Sequence, residues 1–158
     1  MIRSIATLFR PSIGDAFADA ANLLLRVVAG GMIFWIHGVH KAEGAVGYFS
    51  HGTSWTLLEE VRGMGVPFPE ANAVFATFVQ LFAPPFIIVG FCTRPAAILL
   101  FVILLGAVMQ NLLSGRDPQL AVLYTLATIT IGIWGAGRYS FDARRFRIPQ
   151  FDKTQKEE

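Results

Sequence analysis

The stretch NLLLRVVAGGMIFWIHGVHK, Asn22 to Lys41, decides the fold. It is long and apolar enough for a membrane-crossing helix, which takes roughly 17–25 residues. Yet Arg26 sits inside its apolar run and His37 near its far end. A charge in hydrocarbon costs roughly 2.5–3.5 kcal/mol on insertion scales, so the arginine needs an answering group or a route to water. Asn22, Arg26, Gly30, Ile33, His37 and Lys41 recur at steps of three and four, which places them on one helical face. Gly30 and Gly31 would let a second helix approach closely. Lipid satisfies none of these polar groups, so the face is expected to point into a bundle.

Composition around the stretch agrees. The chain has 158 residues, 54% hydrophobic and only 15% charged, against about 25% charged in a typical soluble domain. Further apolar segments lie near Ala71–Phe91, Pro95–Leu113 and Pro118–Ala136, beside a first near Ala20–His37. The expected fold is therefore all-α: an integral membrane four-helix bundle over residues 20–142. Residues 1–19 precede it as a cytoplasmic segment, and 143–158 follow as a polar cytoplasmic tail. The turn CTR makes the second and third spans an antiparallel hairpin, and SGRDP joins the third to the fourth. Pro95 suits a first helical turn, where its missing N–H does no harm.

Charge orients the bundle. Nine Lys and Arg (Arg3, Arg10, Arg94, Arg138, Arg144, Arg145, Arg147, Lys153 and Lys156) fall on one face, and three (Lys41, Arg62 and Arg116) on the other. The positive-inside rule puts the richer face, and both tails, in the cytoplasm. The net charge of +2 is carried mainly by the tails and does not point to nucleic acid. With one cysteine, Cys92, no intramolecular disulfide can form. No cleavable signal peptide is expected, since no small-residue cleavage site follows a short apolar core. MIRSIATLFR reads as a helix lying on the cytoplasmic membrane surface. In the first outer loop, TSWTLLEEVRGMG reads as a short interfacial helix ending at Gly63 or Gly65, with Thr56 and Glu59 at capping-box spacing.

No Asp or Glu falls inside a proposed span, which leaves Arg26 without an acid of its own depth. The partner expected is Gln80. Pro84 and Pro85 free the carbonyls four residues before them, those of Gln80 and Leu81, and such acceptors suit a guanidinium. The other reading is that Arg26 snorkels to the cytoplasmic end. His37 and His40, at i and i+3, have the spacing of a ligand pair, but no third ligand stands in a fixed place, so no metal site is expected. Thr125, Thr128, Gly132 and Gly135 share a face suited to helix packing. Arg138 and Asp142, four apart, are spaced to pair at the surface. No phosphate-binding, dinucleotide-binding or nucleophile-elbow motif occurs.

Four separated motifs resemble the DoxX family in order and spacing. The first helix carries Arg26 and ends in His37-Gly38 with Lys41 after it. Gly65, Pro67 and Pro69 precede the second helix; Gly90, Thr93 and Arg94 turn into the third; Gly135, Gly137, Arg138, Ser140 and Asp142 follow the fourth. The family commonly has a glutamate in the second helix where this chain has Gln80, so a hydrogen-bonding role replaces that of an acid. The resemblance implies a four-helix inner-membrane protein tied to redox or thiol stress, the name tracing to the small subunit of a thiosulfate:quinone oxidoreductase. Three functions follow from it: an accessory subunit of a larger membrane redox complex, or a homo-oligomer in that setting, with no covalently bound cofactor; a quinone-linked component holding its ligand with Arg26, His37, Lys41 and Gln80; and a lipid or small-molecule binder.

Overall fold

The computed structural model describes residues 16–145, and over these the protein is all-helical. The chain runs α1 (Ala16–Met32), a π-helical stretch (Ile33–Val39), α2 (His40–His51), α3 (Thr56–Gly63), α4 (Pro69–Val89), α5 (Thr93–Leu113), α6 (Gln119–Trp134) and α7 (Phe141–Arg145). The surface helix expected in MIRSIATLFR and the tail beyond Arg145 lie outside the described residues. The first span does not stop at His37. It continues through the π-helical stretch as one helix of 36 residues, Ala16–His51, about 54 Å at 1.5 Å per residue. Gly52 closes it with a left-handed φ of 65°, which glycine adopts at no steric cost.

Among the described residues, three helices are long and apolar enough to cross a membrane: Ala16–His51, Pro69–Val89 and Thr93–Leu113. The fourth expected span falls short of this measure. Helix α6 is apolar but has 16 residues, about 24 Å against a hydrocarbon core of about 30 Å. It ends at Trp134 because Gly135 leaves helical geometry at φ 85°. The outward faces are strongly apolar. Phe75, Phe78, Phe82 and Phe86 line α4, Leu24, Val27 and Val28 line α1, and Leu123, Leu126 and Ile133 line α6, all exposed. In water so large an apolar surface would be an aggregation site; in lipid it is the natural solvent contact. This is a membrane protein.

Inside, Ile33, Val79, Ile87, Leu100, Leu104 and Ile131 belong to one buried cluster, with α5 and α6 packed most extensively. Gly132 of α6 meets Ala97 of α5 there, and Thr125 and Thr128 turn their hydroxyls back to the carbonyls four residues earlier. A second cluster holds Trp55 and Leu58 against Ala73 of α4, so α3 lies across the end of the bundle. The capping box is corrected: Trp55, not Thr56, is the N-cap residue, with no side-chain cap bond.

Helices α1 and α4 run antiparallel in a register that two glycines define. A Cβ on Gly30 would lie 2.8 Å from Ile88 Cγ1, whereas one on Gly31 would meet nothing within 4 Å. Only Gly30 of the pair serves the approach. Further along, a Cβ on Gly38 would sit 2.5 Å from the Gln80 carbonyl oxygen, the acceptor that Pro84 leaves without its helical N–H. Gly38→Val is therefore expected to lower thermal stability in detergent by about 1–3 kcal/mol, the usual cost of overpacking. Gly31→Ala is the control and should leave the melting midpoint unchanged; an equal melt for both variants would contradict this register.

Candidate functional site

The polar face of the first helix serves two separate places. At the end of the bundle that holds the turn 90–92, Arg26 is fully buried. Its Nη1 donates to the carbonyls of Ile87 (3.2 Å) and Ile88 (3.4 Å), and its Nη2 to that of Tyr139 (2.7 Å). Ile87 and Ile88 stand in the last turn of α4, where carbonyls lack intrahelical partners and the helix dipole favours a cation. Arg26 thus answers a helix C-terminus, with the carboxylates of Asp142 and Asp19 within electrostatic reach. The expected pairing with Gln80 is a correction. In the antiparallel register Gln80 faces Gly38, three turns away from Arg26.

The next helix is held by the opposite charge. Asp142 is buried and accepts from Cys92 N (3.0 Å), Thr93 N (3.2 Å) and Thr93 Oγ1 (3.4 Å). A carboxylate on the first N–H groups of α5 satisfies donors that have no helical partner. Asp142 N also donates to the Gly90 carbonyl at 2.9 Å. Arg138 and Asp142 therefore do not close on each other as their spacing suggested: Asp142 turns inward while Arg138 is exposed. Asn22 Nδ2 donates to Gly135 O (3.0 Å), and Arg138 N donates to Asp19 Oδ1 (3.3 Å). Ser140 Oγ accepts from Ala143 N (3.0 Å) and donates to Gly137 O (2.7 Å), opening α7. The Arg94 side chain lies against Gly135. Gly90, Thr93, Arg94, Gly135, Gly137, Arg138, Ser140 and Asp142 thus converge in one latch. Pro67 and Pro69 stand elsewhere, at the entry to α4: Pro69 begins that helix, and Pro67 O accepts from Asn72 Nδ2 at 2.7 Å. The latch holds chain segments together.

The opposite end is different. A cavity of about 390 Å³ lies between the π-helical stretch, α2, α3, α4, α5 and α6, with His37, Lys41, Trp55, Gln80, Gln110 and Tyr124 in its wall. Ligand sites commonly measure roughly 300–1,000 Å³. Among the described residues, the buried side-chain atoms without a hydrogen-bond partner are Asp19 Oδ2, Arg26 Nε, His37 Nε2, Trp55 Nε1, Gln80 Oε1 and Tyr124 Oη. The last four all belong to residues lining this cavity. A buried polar atom left unpaired costs about 1–3 kcal/mol, so their convergence makes this cavity the candidate site. Packing holds three of these residues in place. His37 meets the Tyr124 ring edge-on at 5.5 Å. Trp55 lies against Gly44, where a Cβ would fall 2.7 Å from its Cδ1. Arg116 and Glu60, paired at 2.7 Å, tie the turn before α6 to α3 across the cavity's rim.

His37, Lys41 and Gln80 are therefore brought together, and Arg26 is not with them. Trp55, Tyr124, Gln110 and Glu60 are the residues that sequence reasoning missed. Gln110 and Asn111 carried a usable signal, two amides near the end of the third apolar run. Tyr124 had none, being one aromatic among many. His40 turns outward and bonds Glu43 at 3.2 Å. Among the described residues no three His, Cys, Asp or Glu side chains gather as a metal-binding set.

The chemistry of the wall is that of a mixed donor and acceptor. Trp55 Nε1 can only donate, Gln80 Oε1 can only accept, and the tyrosine hydroxyl and histidine nitrogen can do either. Residues 21–112 match the family model DoxX. That span holds His37, Lys41, Trp55, Gln80 and Gln110 and ends before α6 and the segment Gly135–Asp142. No curated protein and no solved structure gives a match.

Proposed function

Because this chain belongs to the DoxX family, we propose that it is a membrane component of a redox or electron-transfer assembly. Its own contribution is a binding cavity for a small ring bearing carbonyl or hydroxyl oxygens, as a quinone does. One observation carries this reading: four residues from separate parts of the chain, each with a buried polar atom lacking a partner, line a single cavity. Trp55, Tyr124 and His37 would donate to carbonyl oxygens, and Gln80 Oε1 would accept from the hydroxyl of the reduced ring. A quinone supplies reversible two-electron chemistry when bound; the side chains named here bind and orient it and shield it from lipid. The larger partner of such an assembly would supply or take the electrons.

The setting is a bacterial-type inner membrane. The Lys and Arg distribution supports placing the latch end at the cytoplasmic face, with both termini there and the cavity towards the opposite face. Helix α6 packs against both α5 and α1, which supports its crossing with them as the fourth span despite its length.

Purification in mild detergent followed by native mass spectrometry tests the proposal. The expected result is a quinone-mass adduct on this chain together with a stoichiometric larger partner. A lipid or metabolite adduct with no partner would sink the redox reading. Gln80→Leu sharpens the test because the two readings of Gln80 differ in sign. Removing an unpaired buried oxygen should leave stability unchanged or raised, while binding of the ring weakens by roughly 3- to 10-fold, one hydrogen bond's worth. A strong loss of stability would return Gln80 to a structural role.

A further inference from the structure

The polar cavity does not end at its own walls. A second hollow of about 220 Å³ adjoins it between α4 and α5, under α3. Lys41, Glu60, Gln80 and Gln110 line both spaces. Beyond these shared residues the second hollow is mostly apolar: Asn72 is the one further polar side chain, beside Val61, Val66, Ala76, Val102, Ile103 and Gly106. Small residues keep it open: Ala76 faces it from α4, and Gly106 from α5. A Cβ added at Gly106 would meet nothing within 4 Å. The hollow also reaches the membrane-facing surface, since Val102, one turn from Gly106, is 58% exposed in a row of apolar residues.

We infer that the ligand of the polar cavity is an amphiphile that enters sideways from the bilayer between α4 and α5. Its polar ring lies among His37, Trp55, Gln80 and Tyr124, and its apolar tail lies along Gly106 and Val102. The inference rests on the binding reading above and adds to it a route and a tail. Two features carry it. The hollows share Gln80 and Gln110 in their walls, and the lining is more apolar in the second than in the first. A head group with unpaired hydrogen-bonding capacity matches the first space, and a hydrocarbon chain matches the second. A water-soluble ligand would have no use for an apolar side passage that opens on lipid.

Gly106 makes the test clean, because a Cβ there meets no protein atom within 4 Å and a larger side chain is expected to grow into the passage. The full chain in phospholipid nanodiscs is assayed for equilibrium binding of radiolabelled decyl-substituted benzoquinone and of the chain-free benzoquinone. Wild type should bind both. Gly106→Leu should weaken the decyl compound by about ten-fold or more, the change that 1.4 kcal/mol makes, and leave the chain-free ring within about two-fold. Gly106→Ala should leave both unchanged, and Gly106→Trp should deepen the selective loss. If Gly106→Leu and Gly106→Trp reduce neither ligand, or both equally, the sideways route is overturned while the cavity reading stands. If wild type binds the chain-free ring but rejects the decyl compound, the tail is overturned in the same way. Binding of neither compound by wild type would bring down both readings.

Discussion

Arg26→Met is expected to cost about 3 kcal/mol of stability, within the range for removing one member of a buried charged network. The loss has identifiable parts. The carbonyls of Ile87, Ile88 and Tyr139 lose the guanidinium, Ile87 keeping only Gly90 N at 3.2 Å, and the buried carboxylates of Asp19 and Asp142 lose the nearby cation that offsets them. Arg26→Lys should recover little, because an ammonium is a point charge and cannot spread its donors over carbonyls from two segments as a planar fork does. Thermal unfolding in detergent measures the loss. The same variants, assayed at a temperature where they remain folded, should bind the ring compound as wild type does. A variant that melts normally and binds nothing would place Arg26 in the functional cavity and overturn the division of the polar face into two sites.

Gly90→Ala should damage the same latch from the other side, by a comparable amount. Gly90 has a φ of 75°, which costs a residue with a Cβ about 1–2 kcal/mol. The added carbon would also fall 2.5 Å from Arg26 Nη1 and 2.5 Å from Ser140 Cβ, with the Ser140 backbone 3.0 Å away. Overpacking of that kind adds about 1–3 kcal/mol. Gly52→Ala is the control: its φ of 65° is similar, but nothing lies within 4 Å of the added carbon. It should show the conformational cost alone. Because Gly90 and Arg26 touch, the double variant should be less destabilised than the two singles added together, as coupled neighbours are. Strict additivity would mean that the latch is not a single unit.

The helical bundle was legible because apolar runs of span length and short Gly/Pro turns are local signals. The four-step polar face was legible for the same reason, and it correctly gave His37 and Lys41 a common direction. Its partners were not, because they depend on the register between helices. Pro84 was read correctly as freeing the Gln80 carbonyl, but that carbonyl meets the backbone of Gly38 rather than the guanidinium. Which residue of α4 stands opposite Arg26 is decided by the close approach of Gly30 to Ile88 and of Gly38 to Gln80, and one sequence does not contain that offset. Asp142 was read as the partner of Arg138 because the two are four apart. The chain between them is not helical, since α7 begins only at Phe141, and the spacing carried no meaning there. Tyr124 and Trp55 became site residues only when α6 and α3 were seen to bring them to the same space as Gln80.

The π-helical turn at Ile33–Val39 separates the two ends of the first helix. A straight α-helix behaves like a rigid shaft: the angle at which one end presents its side chains dictates the angle at the other. Here the end bearing Arg26 must be aimed at the tip of a neighbouring helix, and the end bearing His37 and Lys41 at a hollow about 16 Å along. A wider coil between them works as a coupling that lets each end keep its own azimuth. Substitutions that rotate the anchored end can then be absorbed within those few residues, and the histidine keeps its heading.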